Sequence, residues 1–253
     1  MPSSPPYRRI ADDLRGRILA GELGPSEQLP SENELAAQHE TTRTTARKAV
    51  ALLRSEGLIT SSQGRGAFVR PRPHIRMLLT GTNYRTNRAT GVANFNAEAA
   101  TQGQQARQQL LHVGEVPAPA EVAERLGAQA GEPVLVRKRL FHVDDEPTQF
   151  VDGYYPRDLF VGTPVAENRL IRGGVHAFIE DPGGLGSRVV QFVEDLQVRM
   201  PTPPESEGLA IPPGVPVARV LRTAHDSHGR VLEVLDSLVP CDRHTFRYVI
   251  DIP

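Results

Sequence analysis

The chain has 253 residues, of which 39% are hydrophobic and 23% are charged, a composition typical of a globular protein with one large core or two smaller ones. No apolar run approaches the roughly 20 residues of a membrane-spanning helix, and the N-terminus MPSSPPYRRI lacks the apolar segment of a signal peptide. The single cysteine, Cys241, excludes an intrachain disulfide. We therefore expect a cytoplasmic protein that makes no contact with membranes.

Charge is distributed unevenly along the chain. Residues 1–76 hold 12 basic and 8 acidic side chains, a balance of +4, whereas the remaining residues hold 17 basic and 22 acidic ones, a balance of −5. Residues 41–76 alone carry eight arginines and lysines against one acid, Glu56. This asymmetry predicts a nucleic-acid-binding module joined to a part with a different task.

Helix and strand signals follow one another through the first 70 residues. Ile10, Leu14 and Ile18 recur at helical spacing, and residues 31–34 (SENE) have the form of a capping box, which opens a helix. Glycines at 64 and 66 allow the positive φ of a hairpin turn. The predicted elements are helices over about 7–20, 31–39 and 42–56, the last capped by Thr41 or Thr42, and strands over 58–62 and 67–70.

The third predicted helix has two distinct faces. At about 100° per residue, one face collects Ala46, Ala49 and Leu53, and another collects Arg43, Arg47 and Arg54. A charged helix face is usually a solvated one. Here it follows a short capped helix and precedes a basic hairpin, which is the order of elements that reads duplex DNA, so we favour DNA binding.

Four blocks of sequence carry a resemblance to a known family. They are LPSENELA at 29–36, TRTTARKA at 42–49, EGL at 56–58 and GRGAFV at 64–69. Together they make residues 7–70 similar to the winged helix-turn-helix domain of the GntR family of bacterial transcription regulators. Asn33 departs from the family pattern, because many members carry there an arginine that contacts DNA.

The chemistry of these residues assigns their roles. Arg43 and Arg47, one turn apart, can present guanidinium forks to guanine edges or phosphates. The hydroxyls of Ser31 and Thr42 and the amides of the helix ends suit phosphate oxygens, and Arg65 can enter the minor groove beside the glycine turn. The predicted DNA contacts are Tyr7, Arg8, Ser31, Thr42, Arg43, Thr44, Thr45, Arg47, Gln63, Gly64 and Arg65.

Beyond a proline-rich linker at residues 71–79, strand signals dominate. Runs rich in valine, leucine and aromatic residues, separated by turn signals, lie at 133–143, 148–155, 188–199, 216–226, 231–240 and 245–252, and short helices fit 119–126 and 203–209. These elements predict an α+β fold. We divide the chain into a winged helix-turn-helix domain at 1–70, the linker, and an antiparallel-sheet domain at 80–253.

The second domain resembles the effector-binding (UTRA-type) domain of the HutC subfamily of GntR regulators. The resemblance is carried by VAERLG at 122–127, GEPV at 131–134, Arg137-x-Arg139, Tyr154-x-Pro156 and Asp242-Arg243. It implies a fold similar to that of chorismate lyase, a homodimer, and a small metabolite, often anionic, as the effector.

Arg137 and Arg139 leave the same face of a predicted strand and could clamp an anion, as the corresponding arginines do in the family. Alternatively, they lie on a wet face and pair with Asp152 or Glu194. The resemblance implies further effector contacts, so that the predicted set is Phe95, Asn96, Arg137, Arg139, Tyr154 and Glu233. Val151 and Val239 stand where amino-sugar binders carry glutamate and tyrosine. A less polar anion, or no ligand, therefore remains open.

No cofactor or metal site is predicted. His225 and His228 lie at a predicted turn without a third ligand nearby, and no nucleophile or phosphate-loop pattern appears. We predict that the chain is not an enzyme but a sequence-specific transcriptional regulator. It would be a homodimeric repressor that a small-molecule effector releases from a pseudo-palindromic operator in double-stranded DNA. The alternatives are an activator, a dimer that uses no ligand, and a catalytic domain with the lyase fold.

Overall fold

The computed structural model describes residues 4–62, 65–71, 77–79, 94–101 and 103–248. The chain divides into two compact units, one formed by Met1–His74 with Met200–Val215 and the other by Ile75–Arg199 with Pro216–Pro253. In the described ranges, no helix is both long enough and apolar enough to cross a membrane.

The N-terminal part consists of three helices and a hairpin. In chain order these are α1 (Pro6–Ala20), α2 (Glu32–Gln38), α3 (Arg43–Ser55), β1 (Ile59–Ser62) and β2 (Gly66–Val69), with β1 and β2 antiparallel. The predicted capping box is present: Ser31 N donates to Glu34 Oε2 at 2.7 Å, and Glu34 N donates to Ser31 Oγ at 3.2 Å. Thr42 caps α3 by accepting a hydrogen bond from Thr45 N at 3.2 Å.

A single core holds these elements together. Ala46, Ala49 and Leu53 of α3 are fully buried, as the helical projection predicted, and they pack with Leu14 of α1 and Leu35 of α2. Burying each leucine stabilises the fold by roughly 2 kcal/mol. Because this stripe faces inward, the arginine stripe of α3 faces away from the core.

The remaining strands build a six-stranded antiparallel sheet and a separate parallel pair. The strands are β3 (Met77–Leu79), β4 (Ala106–Pro117), β5 (Pro133–Val143), β6 (Glu146–Tyr155), β7 (Val189–Arg199), β8 (Val217–Asp226), β9 (Val231–Pro240) and β10 (His244–Phe246). The sheet has the order β4-β5-β6-β9-β8-β7, and β3 pairs with β10. The helices are α4 (Asn94–Thr101), α5 (Ala120–Leu126), α6 (Arg157–Phe160), α7 (Val175–Glu180) and α8 (Pro203–Gly208). The predicted α+β fold class is therefore confirmed.

Successive side chains of β5 point to opposite faces of the sheet, and both faces are packed. Leu135 lies in a core cluster with α6 and α7, whereas Val134 and Val136 lie in a cluster with α5. Arg137 and Arg139 have the same parity as Leu135. Both arginines therefore emerge on the α6/α7 face.

Two strands were not anticipated from the sequence. The 12-residue β4 reads ARQQLLHVGEVP, whose mixed polar character matches an edge strand but hides the strand signal. Residues 77–79, inside the predicted linker, form β3 by pairing with β10, a segment more than 160 residues away. The last predicted strand is realised as His244–Phe246, and residues 249–252 of that prediction lie outside the described residues.

Candidate functional site

The N-terminal half of α3 presents an exposed polar surface. Its exposed residues are Thr42, Arg43, Thr44, Arg47 and Lys48. Thr42 Oγ1 lies 3.0 Å from Thr45 Oγ1, so the two threonines predicted to contact DNA support each other at the helix start. The first amides of a helix carry partial positive charge, which suits a phosphate oxygen beside this cap.

The two arginines of this surface differ in their environment. Arg43 Nε donates to Glu32 Oε2 of α2 at 2.9 Å, while the side chain stays 72% exposed. This bond fixes the guanidinium and leaves its outer N–H groups turned to solvent. Arg47 is exposed and makes no ion pair with any residue that the structure describes. Both are thus available to an anionic partner.

The flanks of this surface are Tyr7 and Arg8 on α1 and the hairpin turn. Tyr7 packs against the core, and its hydroxyl accepts from Arg8 Nε at 3.3 Å. Arg65 is exposed immediately before β2, and its carbonyl accepts from Gln28 Nε2 at 3.1 Å. The predicted contacts Gln63 and Gly64 lie outside the described residues.

Sequence reasoning missed Gln28 and Glu32 as supports of this surface. Gln28 also limits the start of β2, because a Cβ on Gly66, whose φ is +102°, would approach Gln28 Nε2 to 3.0 Å. The partners lie 37 and 11 residues apart in sequence. No local signal could have revealed these long-range bonds.

In the sheet, Arg137 is a buried guanidinium bound to a loop. It is only 2% exposed, and its Nη1 donates to the carbonyls of Val165 and Glu167 at 2.7 and 2.9 Å. Its Nη2 donates to the carbonyl of Arg169 at 2.7 Å. Burial lowers the pKa of Arg137 and the positive charge of Arg139 lowers it further, against the opposing influence of Tyr155.

Arg139 lies beside Arg137 in largely apolar surroundings. Leu110 and Val151 are its register partners on the two neighbouring strands, and its guanidinium lies 5.5 Å from the centre of the Phe141 ring. The Nε–H groups of Arg137 and Arg139 are buried without a hydrogen-bond acceptor among the described residues. Two adjacent cations with unmet donors form a site that favours an anion.

The expected alternative pairing of these arginines is wrong. Asp152 pairs with Lys138 at 3.0 Å, and Glu194 pairs with Arg222 at 2.5 Å. Both acids are thus engaged by other cations, and neither neutralises the arginine pair.

Glu233 of β9 lies on the same face, where two side chains already engage it. Its Oε1 accepts from the Tyr155 hydroxyl at 2.7 Å, and its Oε2 lies 2.7 Å from His176 Nε2. Burial alone would raise the pKa of Glu233. The contacts with His176 and Tyr155 and the charge of Arg139 outweigh burial and lower that pKa to about 2. Glu233 is therefore a carboxylate at neutral pH.

Tyr154 does not share this face, which corrects a predicted effector contact. It lies in the cluster with Val136 and Val234 beneath α5, on the opposite side of the sheet from Arg139. The neighbouring Tyr155 points the other way and reaches Glu233. A Cβ on Gly153 would lie 2.5 Å from the Tyr155 hydroxyl, so glycine makes room for this phenol. Tyr155 was missed because the sequence alone does not fix strand parity.

Phe95 and Asn96, the remaining predicted effector contacts, lie on α4. The Phe95 ring packs edge-on against Phe141, with ring centres 4.6 Å apart, and Phe141 in turn lies beside Arg139. Asn96 is exposed. The Phe141 ring thus lies between Phe95 and Arg139 and contacts both.

A short capped helix, a helix with an outward arginine face and a basic hairpin together define a winged helix-turn-helix DNA-binding domain. The sheet carries a separate site suited to an anion. These two features define the class as that of two-part DNA-binding regulators.

Comparison with known proteins agrees with this class. Residues 6–69 match the gntR family of bacterial regulatory proteins, and residues 101–245 match the UTRA domain. A helix-turn-helix-type transcriptional regulator of Streptomyces coelicolor, SCO4628, is 29% identical over 100% of this chain and 95% of its own. The helix-turn-helix-type transcriptional repressor NagR of Bacillus subtilis is 27% identical over 98% of this chain and 95% of its own.

A crystal structure described as that of a GntR-family transcriptional regulator aligns with a TM-score of 0.72 at 29% identity, covering 99% of both chains. The chain belongs to the GntR family and carries the UTRA domain of HutC-type members. It is a DNA-binding transcriptional regulator, and its relatives are regulators rather than enzymes.

Proposed function

We propose that this chain is a homodimeric repressor of the cytoplasm that leaves a pseudo-palindromic operator when a small anionic effector binds. The observation that carries the proposal is the pair of adjacent guanidiniums, Arg137 and Arg139, whose buried Nε–H groups lack acceptors within the described part of the chain. A buried donor without an acceptor costs about 1–3 kcal/mol, which an anion would recover. The name of the relative NagR, a transcriptional repressor, supports repression as the sign of regulation.

For the DNA contacts, we assign base reading to Arg43 and Arg47 and backbone contacts to the threonines of the α3 N-terminus. The exposure of this face and the Glu32 bond that orients Arg43 support the assignment. The full proposed set remains Tyr7, Arg8, Ser31, Thr42, Arg43, Thr44, Thr45, Arg47, Gln63, Gly64 and Arg65. We keep the division into a DNA-binding domain at 1–70, a linker at 71–79 and an effector domain at 80–253.

For the effector, we assign contacts to Arg137, Arg139, Phe95, Asn96 and Glu233. Tyr155 replaces Tyr154, because only Tyr155 shares a face with the arginines. Arg137 and Arg139 would hold the anionic group. Phe95, whose ring packs against Phe141, would form with it an aromatic surface that contacts the body of the effector.

Self-association is supported by the terminal strand of the sheet. β7 exposes Val190, Val193, Leu196 and Val198 to between 38 and 59%. Exposed apolar residues on an edge strand favour pairing with another chain, here a second copy. A two-fold dimer presents two recognition helices to two half-sites, which explains why we expect a pseudo-palindromic operator.

The experiment begins by selecting binding sites from a random duplex library with the full-length protein. The affinity of Arg47→Ala for the selected duplex is then measured at several salt concentrations. We expect a loss of about 1–3 kcal/mol and relaxed sequence preference if Arg47 reads a base. Arg17→Ala is the matched control, since Arg17 lies in the last turn of α1, where it is 3.8 Å from Glu22.

Unchanged binding by the Arg47→Ala protein would refute the assignment of the α3 face. Binding that does not respond to added salt would do the same, since contacts with phosphates release counterions. Loss of binding in Arg17→Ala as well would mean that the effect reflects general charge rather than the recognition helix.

A further inference from the structure

We infer that the effector is an organic carboxylate with an apolar body, aromatic or aliphatic, and not a hydroxylated sugar phosphate. This inference rests on the proposed function, because it specifies the ligand of the proposed effector site. Three features of the site lead to this inference: the number of free N–H donors, the apolar side chains around them, and the contacts that already occupy Glu233.

The free donors fit a group with two oxygens and one charge. Three of the five N–H donors of Arg137 are spent on loop carbonyls, which leaves its Nε–H and one Nη2–H for a ligand. Arg139 makes no side-chain hydrogen bond within the described ranges, so its whole guanidinium fork remains. A carboxylate, with about four lone-pair sites, accepts a bidentate guanidinium and up to two further donors, whereas a phosphate dianion presents a third oxygen and a second charge.

The walls beside Arg139 are apolar. Leu110 and Val151 flank it directly in the sheet, and Phe141 lies under its guanidinium. Phe95 extends this aromatic surface, because its ring meets Phe141 edge-on at 4.6 Å. A ligand whose anionic head reaches Arg139 would therefore lay its body against carbon atoms, which favours an apolar body.

The polar groups that could serve sugar hydroxyls are occupied or replaced. Glu233 is held by the Tyr155 hydroxyl and lies against His176, so neither of its oxygens is free to receive several ligand hydroxyls. Val151 and Val239 are buried side chains that offer no hydrogen bond. Ser237, across from Val151, provides a hydroxyl that could serve one carboxylate oxygen but not a ring of hydroxyls. A sugar bound here would leave hydroxyls unpaired, which is costly.

The test is calorimetric titration of the full-length protein with five probes. These are 3-phenylpropionate, octanoate, the neutral amide 3-phenylpropionamide, glucose 6-phosphate and inorganic phosphate. We expect at least one of the two carboxylates to bind, and to bind about tenfold or more tightly than the amide and than either phosphate, because only a carboxylate satisfies both the cationic donors and the apolar walls.

Variants identify the site of binding. Arg139→Gln should lower the affinity for the carboxylate by about tenfold or more, because it removes the guanidinium fork that makes no hydrogen bond to a described residue. Val151→Glu should also lower the affinity for the carboxylate, since the new side-chain carboxylate would repel the negative charge of the ligand. Arg107→Gln is the control for removal of an arginine, because Arg107 is 55% exposed and pairs with Asp145 on the surface. The Arg107→Gln protein should bind the carboxylate with the same affinity as the unaltered chain.

Each outcome discriminates. Equal binding of the acid and its amide, or absence of binding by both carboxylates, overturns the inference. Tighter binding of glucose 6-phosphate that depends on Arg139 overturns the inference while the proposed effector site stands. If Arg139→Gln changes the affinity of no probe, and no probe changes the affinity of the protein for its selected duplex, the effector site itself fails, and the proposed function with it.

Discussion

Arg137 and Arg139 are two residues apart on one strand, yet the structure gives them opposite energetic roles. Arg137 is buried and donates three hydrogen bonds to the carbonyls of residues 165, 167 and 169. Arg139 donates none within the described ranges; it faces the Phe141 ring and attracts the Glu233 carboxylate through its charge. We therefore predict that Arg137→Gln destabilises the fold while Arg139→Gln leaves it nearly unchanged.

The size of the effect follows from the bonds. A hydrogen bond to a charged group contributes about 1.5–3 kcal/mol, so the three bonds contribute roughly 5–9 kcal/mol before the cost of desolvation. Removing a guanidinium from water costs several kcal/mol, and no described acid offsets that cost. The net loss for Arg137→Gln should be about 2–4 kcal/mol. Arg139→Gln loses a cation–π contact and the attraction between Arg139 and Glu233, but no hydrogen bond to a described residue, and it relieves the repulsion with Arg137, so it should cost less than Arg137→Gln, about 1 kcal/mol.

Urea unfolding of both variants, followed by circular dichroism, measures the two losses. Hydrogen exchange localises them: amides in the loop at residues 165–169 should exchange faster in Arg137→Gln and at the normal rate in Arg139→Gln. Equal destabilisation by the two substitutions would refute this reasoning, since it would mean that the loop bonds of Arg137 do not distinguish it from its neighbour.

Three further predictions concern the helix cap, the sheet edge and the buried acid. Ser31→Ala removes one half of the capping box and should lower the stability of the N-terminal domain by about 1 kcal/mol in thermal scans, an effect that Ser31→Thr should largely avoid. Val198→Lys should shift the full-length protein toward monomer in light scattering, whereas an unchanged mass would exclude β7 as the interface. The lowered pKa of Glu233, about 2 against an ordinary 4.5, stabilises the fold above pH 4.5, and that stabilisation is lost as the pH falls toward 2. The difference in unfolding free energy between the unaltered chain and Glu233→Gln should thus shrink between pH 6 and pH 3, and a constant difference would contradict the assignment.

Local signals predicted most of the fold. The boundaries of β5 and β9 agree with the predicted runs to the residue, and the capping box at Ser31 is formed. These elements have dense apolar residues or side chain–backbone bonds within four positions, so neighbouring residues specify them. β4 and β3 lack such signals, because an edge strand is half polar and a three-residue strand exists only through its distant partner.

The sites were less predictable than the fold, for a related reason. The sequence placed the two arginines on one face, because side chains two residues apart in a strand point to the same side of the sheet. It could not decide between Tyr154 and Tyr155, because a shift of one residue exchanges the two faces. Nor could it show that Arg137 is bound to loop carbonyls about 30 residues away, since those bonds depend on a turn with no sequence pattern.

The position of Arg137 also indicates how binding of a ligand would be sensed within the sheet domain. The Arg137 guanidinium bonds to the loop at 165–169 through its Nη atoms, while its buried Nε–H has no acceptor among the described residues. An anion at that Nε–H would relieve the repulsion between the two arginines and offset the buried charge of Arg137, which favours the conformation in which Arg137 bonds to the loop carbonyls. The ligand and the loop would then stabilise each other. Such mutual stabilisation is the differential interaction that any effector needs in order to shift a protein between two states.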